Sequence, residues 1–182
     1  MKIFLLLTLL FLTYLSADVK QTMINLYKEK KYKSVCHKGF QKFHKFSKDE
    51  KLISLYAFSC LEAGYIDRLS IPIVQLKYSS QARKNAAFLS LILMQKKLLY
   101  HALVDGVDIA SSNFPTTQNT LSKVFDFYLK LGKHEKKDSY VFEDKNDKRN
   151  TYKLYLKKTA KLPKMVIEEF YDTIIKKRYI YH

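Results

Sequence analysis

The stretch LISLYAFSCLEAGYIDRLSIPIVQL, residues 52–76, decides the fold. Its apolar positions Leu52, Ile53, Tyr56, Ala57, Cys60 and Leu61 recur at three- and four-residue intervals, which marks one buried face of a helix. Ala63-Gly64-Tyr65 follows as a turn, because glycine closes a helix in a left-handed conformation that other residues resist. Leu69, Ile73 and Leu76 then line a second, returning helix, which Pro72 should kink or shorten.

The flanking sequence repeats this design. Upstream, Met23, Leu26 and Tyr27 precede the polar run 28–31, and Val35, Cys36, Phe40 and Phe43 follow it. Downstream come Ala86, Leu89, Ser90 and Leu93, an expected turn near Lys96-Lys97, and a return helix with Ala102 and Ile109. The three blocks superpose at a shift of 33 residues: Lys31, Gly64 and Lys97 share a position, as do Tyr27, Cys60 and Leu93, and as do Cys36, Leu69 and Ala102. A period of this length marks helix-turn-helix units, each of which needs a neighbour to bury its apolar face. Beyond Pro115, residues 118–131 read as an amphipathic helix ended by Gly132, and Glu143–Asn150 as a solvated turn or linker. The tail carries Tyr152, Leu154, Tyr155 and Leu156, a break at Leu162-Pro163, and an expected helix through Val166, Ile167, Phe170, Tyr171, Ile174 and Ile175.

Over roughly residues 19–112 the sequence resembles the tetratricopeptide repeat family, whose period is about 34 residues. The resemblance implies an all-α protein, a right-handed stack of about three hairpins with C-terminal helices. The repeat domain would cover 18–132 and a helical extension 133–182. It also implies a site, because the first helix of each unit lines an inner face that holds peptides or partner helices in that family. Those positions are Asn25 and Lys28, then Ser54, Phe58 and Leu61, then Ala87, Leu91, Met94 and Gln95.

The N-terminus gives an address. Lys2, the apolar run Ile3–Leu12 and the small residue Ala17 before Asp18 match a signal peptide over residues 1–17, and the run is too short for an ordinary bilayer span. An uncleaved anchor is the alternative. Cleavage near Ala17 would deliver the chain out of the cytoplasm, into a bacterial periplasm on this reading, and no later segment reads as a membrane span. In an oxidising compartment Cys36 and Cys60, the only cysteines, are expected to pair, the alternative being two small apolar core residues.

A chain of 182 residues that is 47% hydrophobic and 27% charged, with four Gly and three Pro, can build a packed helical domain and is neither collagen-like nor wholly disordered. The net charge of +16 would suit nucleic acid, but only Arg68, Arg83, Arg149 and Arg178 supply the bidentate fork that base and phosphate recognition favours, so no nucleic-acid partner is expected. No nucleophile elbow, phosphate loop or metal-ligand spacing is present; His37 and His44 lie seven apart with Gly39 between them, and Glu168-Glu169 point in different directions on a helix. The sequence therefore predicts no catalytic residues, no metal and no cofactor. It predicts an exported adaptor or scaffold binding an envelope protein or peptide, assemblies of the flagellar or secretion kind included. The competing expectation is a lysine-rich binder of anionic envelope polymer or lipid.

Overall fold

The computed structural model describes residues 19–110, 113–132 and 137–182. The expected signal segment, residues 1–17, lies outside them. The chain divides into two compact units, residues 1–90 and 91–182, and the division falls inside a long helix.

In the first unit, helix α1 includes residues 19–28 and ends in a turn where Lys30 adopts φ 57°. Helix α2 (Tyr32–Lys42) runs into a 3-10 turn (Phe43–Lys45), followed by α3 (Glu50–Glu62). Asp49 starts α3 by accepting hydrogen bonds from the Lys51 and Leu52 N–H groups, both at 3.1 Å, which satisfies amides that have no partner inside the helix. Gly64, at φ 78°, turns the chain as expected. The return segment is a 3-10 turn (Ile66–Leu69) followed by the six-residue α4 (Ser70–Gln75), so the segment containing Pro72 is short, as its ring geometry requires. Met23, Val35, Cys36, Ile53, Tyr56, Ala57, Cys60 and Leu69 form the core. The expected Cys36–Cys60 disulfide is present and ties α2 to α3. It is the bond an oxidising compartment sustains.

Helix α5 (Ser80–Asp105) corrects one expectation, since it runs without a break through Lys96-Lys97. No Gly or Pro lies between Ser80 and Asp105; the chain leaves the helix only at Gly106, where φ reaches 72°. By length and composition α5 is also long and apolar enough to cross a membrane, a property not expected after residue 17. Its buried apolar positions, Ala82 and Leu89 in the first unit and Ile92, Leu99 and Ala102 in the second, are spaced seven, three, seven and three residues apart, which keeps them on one stripe of the helix.

The second unit overturns the all-α expectation, and with it the stack of three hairpins followed by C-terminal helices. Helix α6 (Thr120–Leu129), capped by the Asn119 side chain and followed by Gly132 at φ 72°, matches its sequence signal. Residues 139–181, however, form a four-stranded antiparallel meander, in the order β1 (Ser139–Glu143), β2 (Asn150–Lys157), β3 (Lys164–Tyr171) and β4 (Ile174–Tyr181). The protein is mixed α/β. Register places Tyr140, Leu154 and Ile167 in one cross-strand row and Phe142 opposite Tyr152 in the next. On that face α6 packs through aromatic rings, Phe127 stacked on Phe142 at 5.8 Å and Tyr128 edge-on to Tyr140 at 5.2 Å. The solvated stretch 144–149 is the β1–β2 turn. Asp144 organises it by accepting from the Asn146 N–H, the Lys123 ammonium and the Tyr152 hydroxyl.

Candidate partner-binding surface

The residues expected to line an inner face fall in both units. Asn25 and Lys28 are exposed on α1. Ser54 is half-buried and accepts a hydrogen bond from the Asn85 amide at 3.0 Å, while half-buried Phe58 stacks on Phe88 at 6.0 Å. These two contacts bring α3 beside the first part of α5. Leu61 is buried, and Ala87 is exposed. In the second unit Leu91 is half-buried, Met94 exposed, and Gln95 buried with its amide donating to the Pro115 carbonyl at 3.0 Å.

A different part of the first unit carries several exposed apolar side chains, some of them beside an ordered frame. Arg68, in the 3-10 turn before α4, lies over the Phe40 ring of α2 at 4.6 Å and over the Tyr65 ring at 4.8 Å. One of its guanidinium N–H groups also reaches Cys36 Sγ at 3.7 Å, beside the disulfide. Tyr65 is held from its other partner by His37, edge-on at 5.3 Å, with Nε2 and the phenol oxygen 3.3 Å apart. Stacking satisfies the flat guanidinium faces and leaves Phe40 half exposed at its outer side.

From Arg68 the same side of the chain continues through Ile71 and Val74 at three-residue spacing, both exposed, Val74 to 68%. Tyr78 follows, 74% exposed. Its backbone is clamped from two directions. The Glu50 carboxylate accepts the N–H groups of Lys77, Tyr78 and Ser79 at 3.0, 2.7 and 3.0 Å, and the Arg83 guanidinium donates to the Lys77 and Tyr78 carbonyls at 3.2 and 2.6 Å. Desolvation opposes the charge on Glu50, yet the three amides outweigh it and hold the carboxyl below the usual range. The tyrosine ring is thus presented to solvent from a backbone that is already ordered, so a ligand meeting it need not supply the ordering entropy.

Sequence reasoning missed this surface. Phe40 and Ile73 occupy core-like periodic positions, and nothing local announces that Arg68 bridges to a residue 28 positions earlier or that Glu50 reaches a loop 27 to 29 positions later. The exposed pair Ile71 and Val74 was legible in principle as apolar residues off the expected face. Among the described residues no cluster of His, Cys, Asp and Glu has the makeup of a metal site. Compared with known proteins, the chain matches no family model, no curated relative and no solved structure.

Proposed function

We propose that this protein is a non-catalytic binder of a partner protein, working outside the cytoplasm after cleavage near Ala17, and that it holds its partner on the surface formed by Phe40, Arg68, Ile71, Val74 and Tyr78. The observation that carries this reading is Tyr78: a large aromatic ring, 74% exposed, on a backbone fixed by Glu50 and Arg83. Aromatic and arginine anchors set on ordered backbone are the residues that dominate binding energy at protein interfaces. Scattered exposed apolar residues are ordinary, but here two of them share one face of α4, with Arg68 one step before them and Tyr78 beyond. The chemistry around these side chains favours one kind of partner. Arg68 and Lys77 flank the apolar side chains in a chain of net charge +16, so the fitting occupant is an amphipathic segment with acidic residues beside its apolar ones.

The test is capture of envelope proteins by the mature chain against the Val74→Ser/Tyr78→Ala variant. Both positions are exposed, so melting should stay within the change that about 0.5 kcal/mol produces, while capture of the specific partner is lost. The bound partner should also survive moderate salt, because apolar contact does not depend on the Debye length, which shrinks from about 10 Å at 0.1 M to about 3 Å at 1 M. Identical capture by wild type and variant overturns the assignment. Complete release by salt favours the lysine-based reading instead.

A further inference from the structure

The β2–β3 loop and the strand ends it joins read Lys157-Lys158-Thr159-Ala160-Lys161-Leu162-Pro163-Lys164. Four of these eight residues are lysines and none is acidic. All four lysines are exposed, and among the described residues none of them joins an ion pair.

The sheet register makes this end exceptional. Elsewhere in the sheet, cations sit opposite acids: Lys153 opposite Glu168, Glu168 opposite Arg178, and Glu169 opposite Lys177. Arg178 and Glu168 close to 2.7 Å. At the β2–β3 end the pairing reverses sign, and Lys157 faces Lys164. Like charges directly across two strands destabilise a sheet, so this end carries a repulsion that an external anion would relieve.

Between the lysines, Leu162 is 63% exposed. Its backbone is not loose: the Thr159 hydroxyl donates to the Leu162 carbonyl at 2.6 Å, and the Tyr100 phenol donates to the Pro163 carbonyl at 2.8 Å, pinning the loop to α5. A soluble anion would need only the ammonium groups. An apolar side chain held outward among them adds affinity where the anionic surface has hydrocarbon beneath it, as a bilayer does.

We propose that the β2–β3 loop docks the protein on an anionic lipid bilayer, with Lys157, Lys158, Lys161 and Lys164 among the headgroup phosphates and Leu162 in the acyl boundary. This site is independent of the partner surface in the first unit and engages a different class of ligand. Each lysine close to an anionic membrane contributes about fivefold in affinity, equivalent to about 1 kcal/mol.

The experiment is sedimentation of the mature protein with vesicles of phosphatidylcholine alone or with about one-third phosphatidylglycerol, and inorganic polyphosphate as the soluble anion. Wild type should bind the anionic vesicles and not the neutral ones. Lys158→Gln/Lys161→Gln should weaken that binding about 25-fold, two lysines at fivefold each. Leu162→Ser should weaken it about tenfold while leaving polyphosphate binding unchanged. A control with the same loss of charge on exposed residues elsewhere, Lys33→Gln/Lys84→Gln, should cost less than about fivefold. Circular dichroism melts should be alike for all variants, since every substituted side chain is exposed. If Leu162→Ser binds vesicles as tightly as wild type, or if the control loses as much as the loop variant, the bilayer assignment is wrong. The first result indicates a soluble polyanion and the second nonspecific attraction.

Discussion

Gly39→Ala sets two effects of opposite sign against each other. In an isolated helix alanine is favoured over glycine by about 1 kcal/mol, so propensity alone predicts a more stable protein. In the structure Gly39 is buried on α2 against the Tyr56 ring of α3, and a Cβ added there would lie 2.3 Å from Cδ2, 2.9 Å from Cγ and 3.1 Å from Cε2. The ring has nowhere to go, because Phe43 and Phe46 pack on it at centroid distances of 5.8 and 6.2 Å and it is 1% exposed. Nor can the helices separate easily, since the Cys36–Cys60 bridge lies three residues before Gly39 and four after Tyr56. Overpacking of a close-packed core costs about 1–3 kcal/mol, and a clash this short belongs in the upper half of that range, so the net change should be a loss of about 1–2 kcal/mol. For a unit of this size that lowers the melting temperature by about 4–16 °C. Thermal denaturation of Gly39→Ala measures the sign directly, and a melting point at or above wild type would refute the close approach of α2 and α3. The same substitution in a Tyr56→Leu background separates the cause. There the penalty should shrink or reverse, whereas an equal penalty in both backgrounds would show that the ring is not what Gly39 accommodates.

Three further outcomes follow from other parts of the chain. Reducing the Cys36–Cys60 disulfide, whose cysteines are 24 residues apart and fully buried, should cost about 3 kcal/mol, and urea midpoints that coincide with and without reductant would contradict this. Thr173→Gly should raise the urea midpoint by the equivalent of about 1 kcal/mol, because Thr173 and Asp172 hold φ values of 72° and 47° in the β3–β4 turn and glycine adopts them without strain; a lower midpoint would count against the turn. The Asn146 N–H first, and then Lys123, hold the Asp144 carboxyl below its usual range despite desolvation. Its folded pKa is therefore below the unfolded value of about 3.9, so its stabilisation is present above that pH and is lost as pH falls toward the folded value. Stability curves of Asp144→Asn should be flatter on the acid side than those of wild type, and parallel acid limbs would remove Asp144 from the account.

What the sequence revealed depended on whether the deciding signals were local. The turn at Gly64, the short return segment around Pro72, the Asn119-to-Gly132 helix and the cysteine pairing each rest on residues a few positions apart or on a pairing with no competitor. The expected break at Lys96-Lys97 rested only on extending the 33-residue period, and a helix without an internal Gly or Pro overrode it. The proposed partner surface was less legible still. Its central stack and its backbone clamp join residues about 30 positions apart, and sequence spacing carries no record of such contacts.

The sheet shows why periodicity can mislead even when it is strong. Val166, Ile167, Phe170, Tyr171, Ile174 and Ile175 recur at intervals that satisfy a helix, yet the chain reverses between Tyr171 and Ile174. A strand would be expected to alternate, but Val166 and Ile167 are both buried although they face opposite sides of the sheet, so the period of two is erased where the burial is greatest. The turn gives no help, because Asp172-Thr173 fills a two-residue connection with both residues at positive φ where Asn-Gly or Asp-Gly would have announced a hairpin. The clean alternation lies one strand earlier, in Tyr152 and Leu154 separated by Lys153, and β-branched and aromatic residues are dense across 164–181. Composition therefore favoured strands where spacing favoured a helix. Composition prevails here because β3 has a partner on each side and satisfies its backbone through β2 and β4, whereas a helix over the same residues would have had to continue through a Thr173 that the fold needs as a turn.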